Sequence, residues 1–272
     1  MSEQYFIKRQ NNLKSLFSEK NLDGMLVTNL THIRYLCGFT GSAGSLLITH
    51  DKCEFITDGR YTFQSKNEVK GANITISSDP HFNVIKKENL LPSNLKIAFD
   101  SNNVSHQIYN QLKDIFSSIS WEGTSGYVES LAMIKDEKEI DAIKTAVEIT
   151  DQAFSEVFPM IKIGVKEKEI ANQLSFLYRK YGDADADAFS PIVGSGIHSA
   201  MPHQRPTDKK IEPGELVVID SGAKYAGYHA DMTRTVATKG YSEKQKEIYN
   251  IVLEAQLQGI KFAQAGITCA SV

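Results

Sequence analysis

Residues 217–235, VVIDSGAKYAGYHADMTRT, constrain this chain more than any other stretch: two β-rich runs flank Ala226-Gly227, and each run carries an aspartate. A hairpin centred on Tyr225 and Ala226 sets Asp220 directly opposite Asp231, on one face of the ribbon, with Cβ atoms roughly 4.5–5.5 Å apart. Carboxylates that close repel, and one would be driven to protonate unless a cation lay between them. A divalent ion removes the conflict, and oxygen-only donors select hard or borderline ions such as Mn, Mg, Ca, Co or Zn. The competing reading leaves both aspartates capping strand ends or facing water. Asp220 counts against it, because it directly follows the apolar run Leu216–Ile219 and so ends a buried strand. A bulge would shift this pairing.

Upstream, GSGIHSAMPHQRPTDKKIEPGE (194–215) is a loop broken by Gly and Pro that holds His198 and His203. Pro202 and Pro206 limit the backbone around His203. That suits a histidine held at the rim of a site, donating to a substrate oxygen or moving a proton. His198 and His229 read as ordinary structural or solvated histidines.

The rest of the chain narrows the class. With 30 basic and 33 acidic residues interspersed and a net charge of -3, it has no electrostatic footprint for nucleic acid or an anionic membrane. No N-terminal apolar stretch marks a signal peptide, and no segment reaches the roughly 18–20 apolar residues of a membrane span. Cys37, Cys53 and Cys269 are odd in number and widely spaced, which argues against a disulfide framework and for a reducing cytoplasm.

At 272 residues and 41% hydrophobic content, two domains are expected. Residues 5–20 have near-helical apolar spacing, Met25–Thr28 reads as a buried strand, and short β-rich runs follow at 45–49, 54–57, 73–77 and 96–100, with a helix near 105–117. This is an α/β domain of residues 1–125. Within 126–272, Ile140, Ile143, Val147, Ile149, Ala153, Phe154 and Val157 keep one helical face until Pro159 and Gly164. A second helix spans 168–181, ended by Gly182. Strand signals return at 188–195, 215–220 and 228–237. Ser242 and Gln245 form a capping box opening a last helix to about Ala265.

These residues resemble a known family. AMPHQRPT, IEPGELVVIDSGAKYAGY and DMTRT, within 192–235, are similar to the aminopeptidase P and prolidase (Xaa-Pro peptidase) group with the pita-bread fold. RYLCGFTGSAGSLLIT (34–49) and FITDGRYTFQS (55–65) independently resemble the creatinase/prolidase N-terminal domain. The resemblance implies an α/β N-terminal domain followed by an α+β pita-bread domain. It further implies a site for two divalent metal ions, manganese first and cobalt, zinc or iron as alternatives, that activates water as the nucleophile. Asp220 would bind one ion and Asp231 bridge both. His203 matches the substrate-side histidine that stabilises the tetrahedral intermediate, and Thr233 and Arg234 would support the ligands. The implied substrate is a peptide with proline in second position, and the N-terminal domain commonly supports a homodimer in this family.

One departure matters. The family completes its ligand set with one histidine and two glutamates from later strands, whereas after Asp231 this chain has no histidine and only Glu243, Glu247 and Glu254, on the last helix. The pita-bread domain is therefore expected to be incomplete, with strand edges and apolar faces uncovered, and the chain alone to be inactive. Two other readings stand beside the peptidase. One is a non-catalytic peptide- or protein-binding member of the fold, which retention of Asp220, Asp231 and His203 disfavours. The other is a metal-free creatinase-type amidinohydrolase, disfavoured by the two acidic positions of the hairpin.

Overall fold

The computed structural model describes residues 2–181 and 184–272 and divides into two units, Met1–Lys135 and Asp136–Val272. The first unit contains, in order, α1 (Glu3–Lys20), β1 (Gly24–Val27), α2 (Leu30–Cys37), β2 (Ser45–Thr49), β3 (Cys53–Thr57), α3 (Thr62–Glu68), β4 (Asn73–Ile76), α4 (His81–Lys87), β5 (Lys96–Asp100), α5 (His106–Ile115), β6 (Ser120–Thr124) and α6 (Tyr127–Ala132). Its strands form one mixed sheet in the order β4-β3-β2-β1-β5-β6.

That sheet is covered on both faces, which explains its apolar runs. Met25 and Val27 of β1, Leu46 and Ile48 of β2 and Phe55 of β3 pack with Leu13 and Phe17 of α1 and Ile33 and Leu36 of α2. The alternate residues Leu26, Leu47, Ile56 and Ile97 pack with Val84 and Ile85 of α4 and Leu112 of α5. The period of two along each strand thus serves two cores. The sequence placed the end of this domain near residue 125. The unit instead runs to Lys135, because α6 packs on α1 and buries Val128 in the first core.

The second unit contains α7 (Glu137–Val157), α8 (Glu167–Lys180), β7 (Ala184–Asp187), β8 (Ile192–Ser195), β9 (Leu216–Ser221), β10 (Ala223–Tyr225), β11 (Tyr228–His229), β12 (Met232–Ala237) and α9 (Glu243–Phe262). A capping box between Asp136 and Glu139 starts α7, and the expected box between Ser242 and Gln245 starts α9. Gly182, expected to end α8, lies outside the described residues. Two three-stranded sheets form, β11-β10-β7 and β12-β9-β8. Against them pack Ile149, Ala153 and Val157 of α7 and Ile170, Leu174, Leu177 and Tyr178 of α8.

None of the residues of α9 is buried, so Ile251, Val252, Leu257 and Phe262 are exposed along with its charged residues. No helix among the described residues is long and apolar enough to cross a membrane.

Candidate metal centre

Along β9 burial alternates. Val217, Ile219 and Ser221 face the helices and are buried, whereas Val218 and Asp220 occupy the other face and are half-buried. The strand is fixed from behind. The Tyr178 hydroxyl donates to Ser221 Oγ at 2.7 Å, and Thr150 Oγ1 accepts the Ala223 N–H at 2.9 Å while donating to the Ala146 carbonyl at 2.8 Å. Burial pushes the Tyr178 phenol up to about 12, so it donates at any physiological pH.

The hairpin register differs from the expected one. Tyr225 pairs with Tyr228 and Lys224 with His229, which puts the turn at Ala226-Gly227. Both turn residues have positive φ, 49° and 88°, the two-residue type I′ connection whose twist matches that of the strands. Asp220 therefore pairs with Thr233, not Asp231. In this register Asp231 lies level with Gly222, two residues along from Asp220. Asp231 itself precedes the β9–β12 ladder, which begins at Met232, but its carboxylate stands close enough to act on Asp220. The ladder is interrupted there. Gly222 comes so close to Ala230 that a Cβ would run into the Ala230 carbonyl, and the ribbon passes at this point from one sheet to the other.

Asp220 is the strained group of the site. Its carboxyl is raised above the ordinary aspartate value, first by burial and then by the neighbouring Asp231 carboxylate, while the Thr233 hydroxyl and the His203 charge act the other way. Its Oδ1 is shut away from solvent and has no hydrogen-bond partner. A buried carboxylate oxygen that accepts nothing is costly, and a second carboxylate beside it makes it more so. A divalent cation answers both deficits, so the two aspartates fit the group expected from sequence. Among the described residues, however, no three-ligand group of His, Cys, Asp or Glu gathers around them.

The other expected residues lie nearby. Thr233 and Asp220 line one cleft of about 240 Å³, together with His198 and Val218. Asp231 and Arg234 line a recess with Thr150 and Asp151 of α7. The exposed Arg234 donates to the carbonyl of Thr233 at 2.9 Å. His203 is exposed and borders a third depression with Ile192 and Arg205.

Sequence reasoning missed the anchor of this loop, Glu167. Its side chain is fully buried at the start of α8 and accepts from Ser195 N–H at 2.8 Å and Ser195 Oγ at 3.0 Å, and from Thr207 N–H at 3.1 Å and Thr207 Oγ1 at 2.7 Å. His198 Nδ1 lies 3.0 Å from the same carboxylate. Burial alone would raise the Glu167 carboxyl, but the donors from Thr207 and Ser195 outweigh it and hold it below the ordinary range. One carboxylate thus ties down both ends of segment 195–207, which carries His198 and His203. Glu167 in KEKEIA, with Glu169 two residues on, carries no spacing signal that would have exposed this role.

Comparison with known proteins gives the family of the chain. Residues 9–134 match the model of the creatinase/prolidase N-terminal domain, and residues 141–272 match metallopeptidase family M24. The uncharacterized peptidase YqhT of Bacillus subtilis is 39% identical over 94% of this chain and 72% of its own length. The Xaa-Pro dipeptidase of Pyrococcus horikoshii is 34% identical over 93% of this chain and 70% of its own. Among solved structures, the Xaa-Pro dipeptidase from Bacillus anthracis superposes with a TM-score of 0.91 at 39% identity, covering 97% of this chain and 74% of that one. The X-Pro aminopeptidase from Thermotoga maritima gives 0.84 at 38% identity, covering 92% and 73%. The chain belongs to metallopeptidase family M24, in the branch that joins a creatinase/prolidase N-terminal domain to the pita-bread domain.

Proposed function

We propose that Asp220 and Asp231 are ligands for divalent metal, and that the reaction they serve is hydrolysis of the bond before proline at the N-terminus of a peptide. The observation that carries this reading is the buried, unpartnered Oδ1 of Asp220 beside a second carboxylate. The substrate class comes from relatives named Xaa-Pro dipeptidase and X-Pro aminopeptidase. When bound, the metal would supply Lewis-acid polarisation of the substrate carbonyl and a water acidic enough to act as nucleophile at neutral pH. Manganese leads the candidate metals, with cobalt, zinc or iron also suited to oxygen and imidazole donors.

The residues of this chain have separable tasks. Asp220 and Asp231 hold positive charge at one end of the ribbon, and the Thr233 hydroxyl orients Asp220 from directly across the ladder. His203, on a segment pinned by Glu167, donates a hydrogen bond to the substrate oxygen as negative charge develops there. Arg234 supports the carbonyl of Thr233 and with it the strand that carries Asp231. The cytoplasm is the compartment proposed, and a homodimer the assembly.

Two carboxylates without a third ligand bind a divalent ion weakly, so the 272-residue chain by itself is proposed to turn over no peptide at a useful rate. The test is an assay of the purified chain on an Xaa-Pro dipeptide and a longer Xaa-Pro peptide, with Mn²⁺ or Co²⁺ added. No turnover is expected. Clear turnover would show that two aspartates and His203 suffice. A chain that bound no divalent ion at all would favour the non-catalytic reading instead.

A further inference from the structure

A second set of metal-type donors lies in the first unit, away in sequence from the hairpin. His32 of α2 is 8% exposed, Asp100 at the end of β5 is 4% exposed, and Glu129 of α6 is exposed. Topology alone gathers them: β5 lies beside β1, and α2 follows β1 directly in the chain. His32 Nδ1 is 3.6 Å from Asp100 Oδ2, and His32 Nε2 is 3.5 Å from Glu129 Oε1. One donor atom from each residue lies within 4.8 Å of the other two.

As placed, His32 is not hydrogen-bonded to a carboxylate on either side. Charge-assisted N–H···O bonds close to about 2.7–2.9 Å, and neither gap does. His32 Nδ1 is buried without any hydrogen-bond partner. Asp100 uses its Oδ1 to accept the Asn102 N–H at 3.0 Å, which leaves Oδ2 turned to the histidine. A buried nitrogen without a partner, facing a buried carboxylate oxygen across a gap too long for a hydrogen bond, has the spacing of two ligands on one ion. Metal–ligand bonds of about 2.0–2.2 Å place neighbouring donors roughly 3.3–3.6 Å apart.

We propose that His32, Asp100 and Glu129 form a divalent-cation site of the zinc type. The two imidazole nitrogens point apart, so one ion engages only one of them. Nδ1 and Asp100 Oδ2 are the fixed ligands, held by α2 and β5. The exposed Glu129 side chain moves in as the third, and water completes the shell. One imidazole and two carboxylates, without a thiolate, suit Zn²⁺ or Co²⁺. The bound ion would clip α2 and α6 to the end of β5, a structural role inside the N-terminal unit.

The test uses the full chain carrying Asp220→Asn and Asp231→Asn, so that the hairpin contributes no ligands. Co²⁺ is titrated by calorimetry and by its visible absorption, which is intense only in four- or five-coordinate sites. One saturable Co²⁺ per chain is expected. Adding Glu129→Gln, at an exposed position, should weaken binding by about tenfold or more, and His32→Gln should abolish it. Absence of saturable Co²⁺ in the double variant, as for a histidine merely sandwiched between carboxylates, would overturn the proposal. So would Co²⁺ binding unchanged by Glu129→Gln.

Discussion

Asp220 lies directly across the β9–β12 ladder from Thr233, and the Asp231 carboxylate, two residues before Thr233, is near enough to help raise the Asp220 carboxyl. The cleft side of β9 therefore concentrates negative charge where its other face is sealed by Tyr178 and the helices. Such a face works against folding of the chain where Asp220 is ionised.

Replacing Asp220 by Asn should therefore stabilise the metal-free chain while removing its response to metal. The folded-state carboxyl is raised above the unfolded one, so Asp220 opposes folding once the pH climbs through the carboxylate range. The gain on substitution is present at neutral pH and falls away as the pH drops through the unfolded aspartate value near 4. Solvent screening of a half-exposed group keeps the gain to about 1 kcal/mol or less. Thermal melts of both proteins at pH 7 and pH 4, with and without Mn²⁺, measure it. A metal-free melting point lowered at pH 7 would contradict the repulsion.

Glu167 works in the opposite sense. Its carboxyl is held below the ordinary range by the Thr207 and Ser195 donors, so its contribution is present above the unfolded value and is lost as the pH falls through the folded one. Glu167→Ala leaves several buried donors without an acceptor and should cost about 2–4 kcal/mol. Limited proteolysis should then cut between 196 and 207 in the variant at neutral pH. Equal protease resistance in wild type and variant would show that the segment is held by other contacts.

Gly222 should tolerate no side chain. Gly222→Ala drives a Cβ into the Ala230 carbonyl, where the ribbon changes sheets. A backbone shift there should cost about 1–3 kcal/mol and move Asp231 relative to Asp220. A lowered melting point is the expected result. An unaltered melt would mean that the two arms can separate freely.

The three thiols should separate by burial. Cys37 and Cys53 are buried, and both are pushed up to about 12 by loss of hydration, whereas Cys269 is exposed. Native alkylation at pH 8 should label Cys269 alone, and all three should react in denaturant. Rapid native labelling of Cys37 would show that the first core opens.

Long elements with a strong period were legible in the sequence. α1, α7 and α9 fall close to their expected spans, and the Ser242–Gln245 box sits where the residues placed it. Short elements were not. α2 has only eight residues, although the side chain of Asn29 caps it by accepting from Thr31 and His32. β6, SWEGT, lacks the alternation that marks a strand and is held by pairing with β5.

In the site, the hairpin that carries Asp220 and leads from Asp231 was readable. The register was not, because an alanine at a left-handed turn position gives no signal beforehand. Glu167 and the His32, Asp100 and Glu129 group were invisible for one reason: their partners are distant in sequence and are joined only by folding.

The most direct test is an electron paramagnetic resonance titration of Mn²⁺ into wild type, Asp220→Asn, Asp231→Asn and the double variant at pH 7. If the two aspartates hold a common ion, each single variant loses the same class of bound Mn²⁺, and losing both aspartates removes no more than either loss alone. Mn²⁺ binding at wild-type strength in either single variant would contradict that.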